Sequence, residues 1–179
     1  MFPTGRFENL DPIKASVEAT GGGSFATTFG AGVQNLFHLG GDHFLRYRFN
    51  LTHSLYMPVD VTGFNAYGGG FGTDGRVHPG SVTTLTAAAE YTLTRHWVLA
   101  LDIGFQIIQA TRFSGTPGIG PTGEPAVTGR GSGDVLSVAP AVEYLYNEHV
   151  GLIAGPWFSV RGRNTSDFFG MVAAIYLFL

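Results

Sequence analysis

Residues 81–113 alternate with a strict two-residue period, and no other feature of the chain restricts its fold as much. On the first arm Leu85, Ala87, Ala89, Tyr91 and Leu93 interleave with Thr84, Thr86, Ala88, Glu90 and Thr92. After the tight Thr94-Arg95-His96 connection, Trp97, Leu99, Leu101, Ile103, Phe105 and Ile107 interleave with Val98, Ala100, Asp102, Gly104, Gln106 and Ile108. Successive side chains of a strand point to opposite faces, so the pattern predicts a β-hairpin with one apolar and one mixed face. The mixed face is Thr, Ala and Gly with isolated charges, where a sheet facing bulk water carries Lys and Glu in numbers. That suits a narrow lumen, and each arm reaches the roughly 9–11 residues a tilted strand needs to cross a bilayer.

The same pattern recurs along the chain. In residues 24–39, Phe25, Phe29, Ala31 and Val33 oppose Thr28, Gly30, Gly32 and Gln34, and Gly40-Gly41-Asp42 makes a tight turn. Residues 43–55 place Leu45, Tyr47, Phe49 and Leu51 against Arg46, Arg48, Asn50, Thr52 and Ser54. A slip of one residue would put both arginines into hydrocarbon at about 2–4 kcal/mol each near the midplane, so the register is pinned. Further arms run over 135–146, 150–161 and 168–179, with Phe169, Met171, Ala173, Ile175, Leu177 and Leu179 on one face of the last. AAAEYTLTRHWVLALDIGF and PAVEYLYNEHVGLIAGPWF align without gaps, matching Glu90 to Glu143 and His96 to His149, as repeated hairpins do. Tight turns near Gly40, Arg95 and Asn147 alternate with long connections from Tyr56, Ser114 and Gly162. Bacterial outer-membrane barrels have short periplasmic turns and long extracellular loops, so the chain end would lie in the periplasm.

Composition narrows the alternatives. Charged residues are 13% of the chain against roughly 25% in a typical soluble domain. No run approaches the ~18–20 apolar residues of a membrane helix, which leaves a closed barrel as the spanning structure. A net charge of −3 without a basic block speaks against nucleic acid. The absence of cysteine excludes disulfide scaffolds and thiol chemistry. The first residues have neither a basic nor an apolar signal region, so an export signal is expected to have been removed or to lie in a longer precursor. Seven strands are clear, and single-chain bacterial barrels have an even number. The short alternation over 14–20, or strands upstream, would complete the count.

Two stretches carry a family resemblance. FPTGRFENLDPIKASVEATGGGSF and AEYTLTRHWVLALD resemble the loop-and-strand opening and the strand–turn–strand signature of the meta-pathway phenol-degradation-like outer-membrane proteins, a transporter-like barrel family. Members of that family are generally longer, with strands ahead of the FPTG-like loop. The resemblance implies uptake of small hydrophobic or aromatic molecules, and that this chain is the C-terminal portion of such a barrel.

The expected fold is therefore all-β: an antiparallel transmembrane β-barrel of the bacterial outer-membrane type, with about eight strands here, whole or part of a larger barrel. Residues 1–179 form one domain, with a leading loop or weak first strand over 1–23 and long extracellular loops at about 56–80 and 114–133. The solute path is assigned to Arg46, Arg48, Glu90, Asp102, Gln106, Glu143 and Arg161, because ionisable groups inside a membrane pair across a lumen or line water. The same charges also suit a plugged interior, which eight strands just suffice to fill. No catalytic residue, cofactor or metal is expected, and the partners are outer-membrane lipid, a small solute, and the assembly machinery that reads the last strand. The aromatics Tyr47, Tyr56, Tyr91, Trp97, Tyr144, Tyr146, Phe158 and Tyr176 fall near strand ends, as an interfacial girdle would. Two alternatives stand beside transport, a closed barrel acting through its surface loops and a barrel lipid hydrolase using His53 or another wall histidine; a soluble β-sandwich, which would dissolve without detergent, is the alternative fold. Against the hydrolase, His53 and Ser54 are adjacent and point to opposite faces. The GxGxxG stretches at 70–75 and 118–123 lack the strand-to-helix setting of a dinucleotide site and read as flexible loop.

Overall fold

In the computed structural model, which describes residues 5–14 and 17–177, the chain is all-β apart from one 3-10 turn at Pro12–Lys14. Ten strands follow: β1 (Ala26–Gly40), β2 (His43–Tyr56), β3 (Val59–Thr62), β4 (Asp74–His78), β5 (Val82–Thr92), β6 (Trp97–Ile108), β7 (Arg112–Thr116), β8 (Gly133–Leu145), β9 (Val150–Arg163) and β10 (Phe169–Leu177). Seven of them form one sheet in the order β1-β2-β5-β6-β8-β9-β10, and the other three form a second sheet, β3-β4-β7. The seven long strands are those the alternation predicts, to within a few residues at each end. The expected closure into a barrel is not present: among the described residues the sheet is open, ending at β1 on one side and β10 on the other.

By contact the chain divides into two units, 1–29 with 53–82 and 108–132, and 30–52 with 83–107 and 133–179. The first unit is built on the three-stranded sheet. The two long connections expected as loops supply it: β3 and β4 come from 56–80, and β7 from the second arm's expected end and the start of 114–133. Arg76 stands opposite Asp60 on β3 and Ser114 on β7, and Val77 opposite Val59 and Phe113. Here the burial is complete, with Val61 and Val77 at 1% and 0% exposure and Leu10 and Ala126 nearly so. The second arm of the central hairpin, expected to run to Phe113, ends at Ile108, and the chain re-forms as β7 four residues later.

The glycine stretches are ordered for a steric reason. Phe71 and Ile119 exchange two backbone hydrogen bonds of 2.8 Å, which joins the two GxGxxG segments to each other. Gly118 has φ +73° and lies where a Cβ would come 2.5 Å from the Thr73 nitrogen, so only glycine allows that approach. Thr73 locks the junction, accepting from the Gly70 N–H and donating to the Pro117 carbonyl.

The weak first strand over 14–20 is not a strand where it is described. Residues 17 and 18 are turn, the Val17 N–H bonds to the Lys14 carbonyl, and Ala15 and Ser16 lie outside the described residues. Residues 1–4 and the terminal Phe178 and Leu179, to which the FPTG opening and the end of the last-strand signal belong, also lie outside them.

In the second unit the strands run antiparallel, since contact partners fall on one strand as they rise on the next. Arg46 meets Glu90 and Asn50 meets Thr86. Gly104 meets Ser137 while His96 meets Leu145. β9 and β10 pair without a break from Phe158↔Phe169 to Val150↔Leu177. The β8–β9 ladder slips by one residue: Ser137 faces Ser159, but Leu136 faces Arg161, so Val160 is a bulge.

Candidate functional site

The polar rows of the strands converge on one concave face of the second unit, with a cavity volume of about 1040 Å³. Arg48 and Asn50 of β2, Thr84, Thr86 and Glu90 of β5, and Asp102 and Gln106 of β6 line it. They share this face because each belongs to the polar half of a period-2 strand. Cross-strand bonds tie the rows together. The Asn50 amide donates to the Thr86 hydroxyl at 3.1 Å, and the Gln106 amide donates to the Thr84 hydroxyl at 3.3 Å. The Arg46 guanidinium pairs with the Glu90 carboxylate. Glu143 of β8 stands opposite Ile153 of β9, itself a lining residue.

Of the seven predicted path residues, Arg48, Glu90, Asp102 and Gln106 line the cavity directly, Arg46 joins through its ion pair with Glu90, and Glu143 shares the face by its register opposite Ile153. Arg161 does not join. The row Ile153, Gly155, Trp157 would reach it by simple alternation, but the bulge at Val160 turns Arg161 to the side of Leu136. A bulge leaves no mark in a hydrophobic pattern, so the sequence could not show this.

The structure also adds residues that the sequence reading gave no role in the path. Trp157 and Phe168 meet edge to face with centroids 4.7 Å apart, and both line the cavity with Ile153 and Val172. One side of the cavity is thus aromatic and aliphatic, the other hydroxyl, amide and charge. Trp157 escaped notice because its neighbour Phe158 carries the opposite parity and fits the interfacial girdle.

The repeated Glu-Tyr…His echo has a structural meaning at the tight-turn end. His43 stacks on Tyr91 at 5.9 Å and hydrogen-bonds through Nδ1 to the Thr92 carbonyl at 3.1 Å. One hairpin on, His96 stacks on Tyr144 at 6.0 Å and bonds through Nδ1 to the Leu145 carbonyl at 2.7 Å. Trp97 packs on the same Tyr144 ring at 4.7 Å. His43 and His96 therefore each clamp the end of a neighbouring strand through the Tyr of the two Glu-Tyr pairs, while His149, the echo's second histidine, bonds through its backbone N–H to the Asn147 side chain.

The Ser54 hydroxyl is engaged by the Thr28 hydroxyl at 2.8 Å. Among the described residues no three His, Asp or Glu side chains gather as a metal site would require. Among the described residues no helix is long and apolar enough to cross a membrane. The chain matches no protein-family model and no curated protein sequence.

Proposed function

We propose that the seven-stranded sheet is wall material of a β-barrel in a bacterial outer membrane, and that its concave polar face conducts small hydrophobic or aromatic solutes. One observation carries this reading: the sheet is inverted relative to a soluble one. Its outward rows hold Leu85, Leu99, Leu101, Leu152, Phe169 and Ile175 at 40–73% exposure, while its sheltered face carries the hydrogen-bonded polar ladder. Among the described residues of the second unit only Val98 is a buried hydrophobic side chain. Seven strands without an apolar core cannot be held together in water, where each Å² of exposed apolar surface forfeits about 25 cal/mol. In a bilayer the same face is solvated by hydrocarbon and the cost disappears.

The mixed lining supports the choice of solute. Trp157 and Phe168 offer flat apolar contact, and Asn50, Thr84, Thr86 and Gln106 offer groups for a polar substituent. A second reading, a barrel that acts through its surface, is favoured by the ordered sheet in the long connections. Planar-bilayer conductance tests the first. Stable ion-conducting steps are the expected result, and silence from a folded, membrane-inserted protein would move the function to the connections.

A further inference from the structure

The edges of the large sheet carry information that its faces do not. Six antiparallel junctions join seven strands, so β1 and β10 run in the same direction across the membrane. Both are exposed on their two faces, as adjacent pairs show: Leu36 and Phe37 on β1, Met171 and Val172 on β10 are all at least 44% exposed. A spanning sheet cannot leave a row of backbone donors and acceptors facing hydrocarbon, so in the barrel proposed above each edge is paired.

Three occupants can be weighed by strand polarity. β1 pairing directly with β10 would be parallel, and would close seven strands where eight is the smallest bacterial membrane barrel. A second copy, related by rotation about the membrane normal, would also bring β10 against β1 in parallel. A second copy pairing β1 with β1 antiparallel would stand upside down in the bilayer. Nor do the described residues ahead of β1 help: residues 5–14 and 17–25 are turn, 3-10 helix and irregular backbone.

We infer that β1 and β10 are docking edges for a single β-strand, antiparallel to both, with its own apolar-out, polar-in alternation. One strand brings seven to eight, the smallest even-stranded wall, and continues the β1–β2 and β9–β10 ladders without a change of pattern. This inference rests on the membrane reading of the sheet and adds to it what completes the wall.

The test compares the chain as it stands with two versions extended at the N-terminus through a flexible linker. One gains a copy of β9, a single strand of the required direction, and the other gains copies of β9 and β10. Each is refolded into phospholipid vesicles, floated on a density gradient, and followed by amide hydrogen exchange of peptides from 30–40 and 169–177. All three versions should float. Only the one-strand version should slow exchange at both edges, by at least tenfold, and migrate as a compact form before heating. Protection of both edges in the unextended chain would overturn the inference, by direct closure if monomeric or by a second copy if dimeric. Equal protection by the two-strand extension, or none by the one-strand extension, would overturn it as well. Failure of every version to float would refute the membrane reading and this inference together.

Discussion

Replacing Leu101 by arginine separates a lipid-facing sheet from a water-facing one. Leu101 sits mid-way along β6, on the outward row and 40% exposed, and the next residue, Asp102, lines the inner cavity. In water, arginine at so exposed a position changes stability by no more than about 0.5 kcal/mol. Near the bilayer midplane it costs about 2–4 kcal/mol. At about 1.4 kcal/mol per decade, that is a shift of roughly 30- to 700-fold in the folding equilibrium. Asp102→Arg, one residue away but on the opposite face, serves as the control and should stay within about 1 kcal/mol. The assay is urea unfolding from phospholipid vesicles, followed by the fluorescence of Trp97 and Trp157, both of which lie in the same unit as the substitution. Equal midpoint shifts for the two variants, or no shift for Leu101→Arg, would refute the lipid-facing assignment.

Three further outcomes concern the smaller unit. Val77 is fully enclosed, so Val77→Ala removes two methyl groups worth about 0.8 kcal/mol each and leaves a cavity; a loss of about 2 kcal/mol is expected in denaturant melts of that unit. Gly118→Ala must bear a left-handed backbone and a contact with the Thr73 nitrogen, which predicts a loss of about 1–3 kcal/mol and faster amide exchange at Phe71. The Arg76 guanidinium donates to both Asp60 oxygens at 2.7 and 2.8 Å and holds that carboxyl below its ordinary value, its partial desolvation opposing. Because the folded carboxyl is the stronger acid, its contribution is present above the unfolded value of about 3.9 and is lost as pH falls below it. Protection of β3 and β4 amides, taken relative to the unfolded chain at the same pH, should fall below about pH 4 in the native chain, and this fall should vanish in Asp60→Asn.

The long strands were legible because their signal is local. A period of two needs only neighbouring residues, and the charges Arg46, Arg48, Glu90 and Asp102 fix which half of each period faces inward. That reasoning brought six of the seven path residues to one face. It failed at Arg161, where the Val160 bulge inserts a residue that alternation cannot register. It failed also at the long connections. Gly70, Gly72, Gly118 and Gly123 read as flexibility, yet glycine at 70 and 118 serves close approach, letting two segments nearly fifty positions apart in sequence share hydrogen bonds. The buried Val61, Val77 and Ala126 have no periodic pattern around them because their strands are only four or five residues long or absent.

By itself, then, the sequence determined the seven long strands, their direction, and which side chains share a face along an unbroken strand, since covalent geometry imposes alternation wherever backbone is extended. Tertiary structure decided what depends on pairing between distant segments. It set the register slip that moves Arg161, the aromatic contact of Trp157 with Phe168, and the three-stranded sheet made from two connections. It also decided that the seven-stranded sheet stays open. Closure depends on whether the first and last strands find antiparallel neighbours, and seven alternating strands leave both edges pointing the same way.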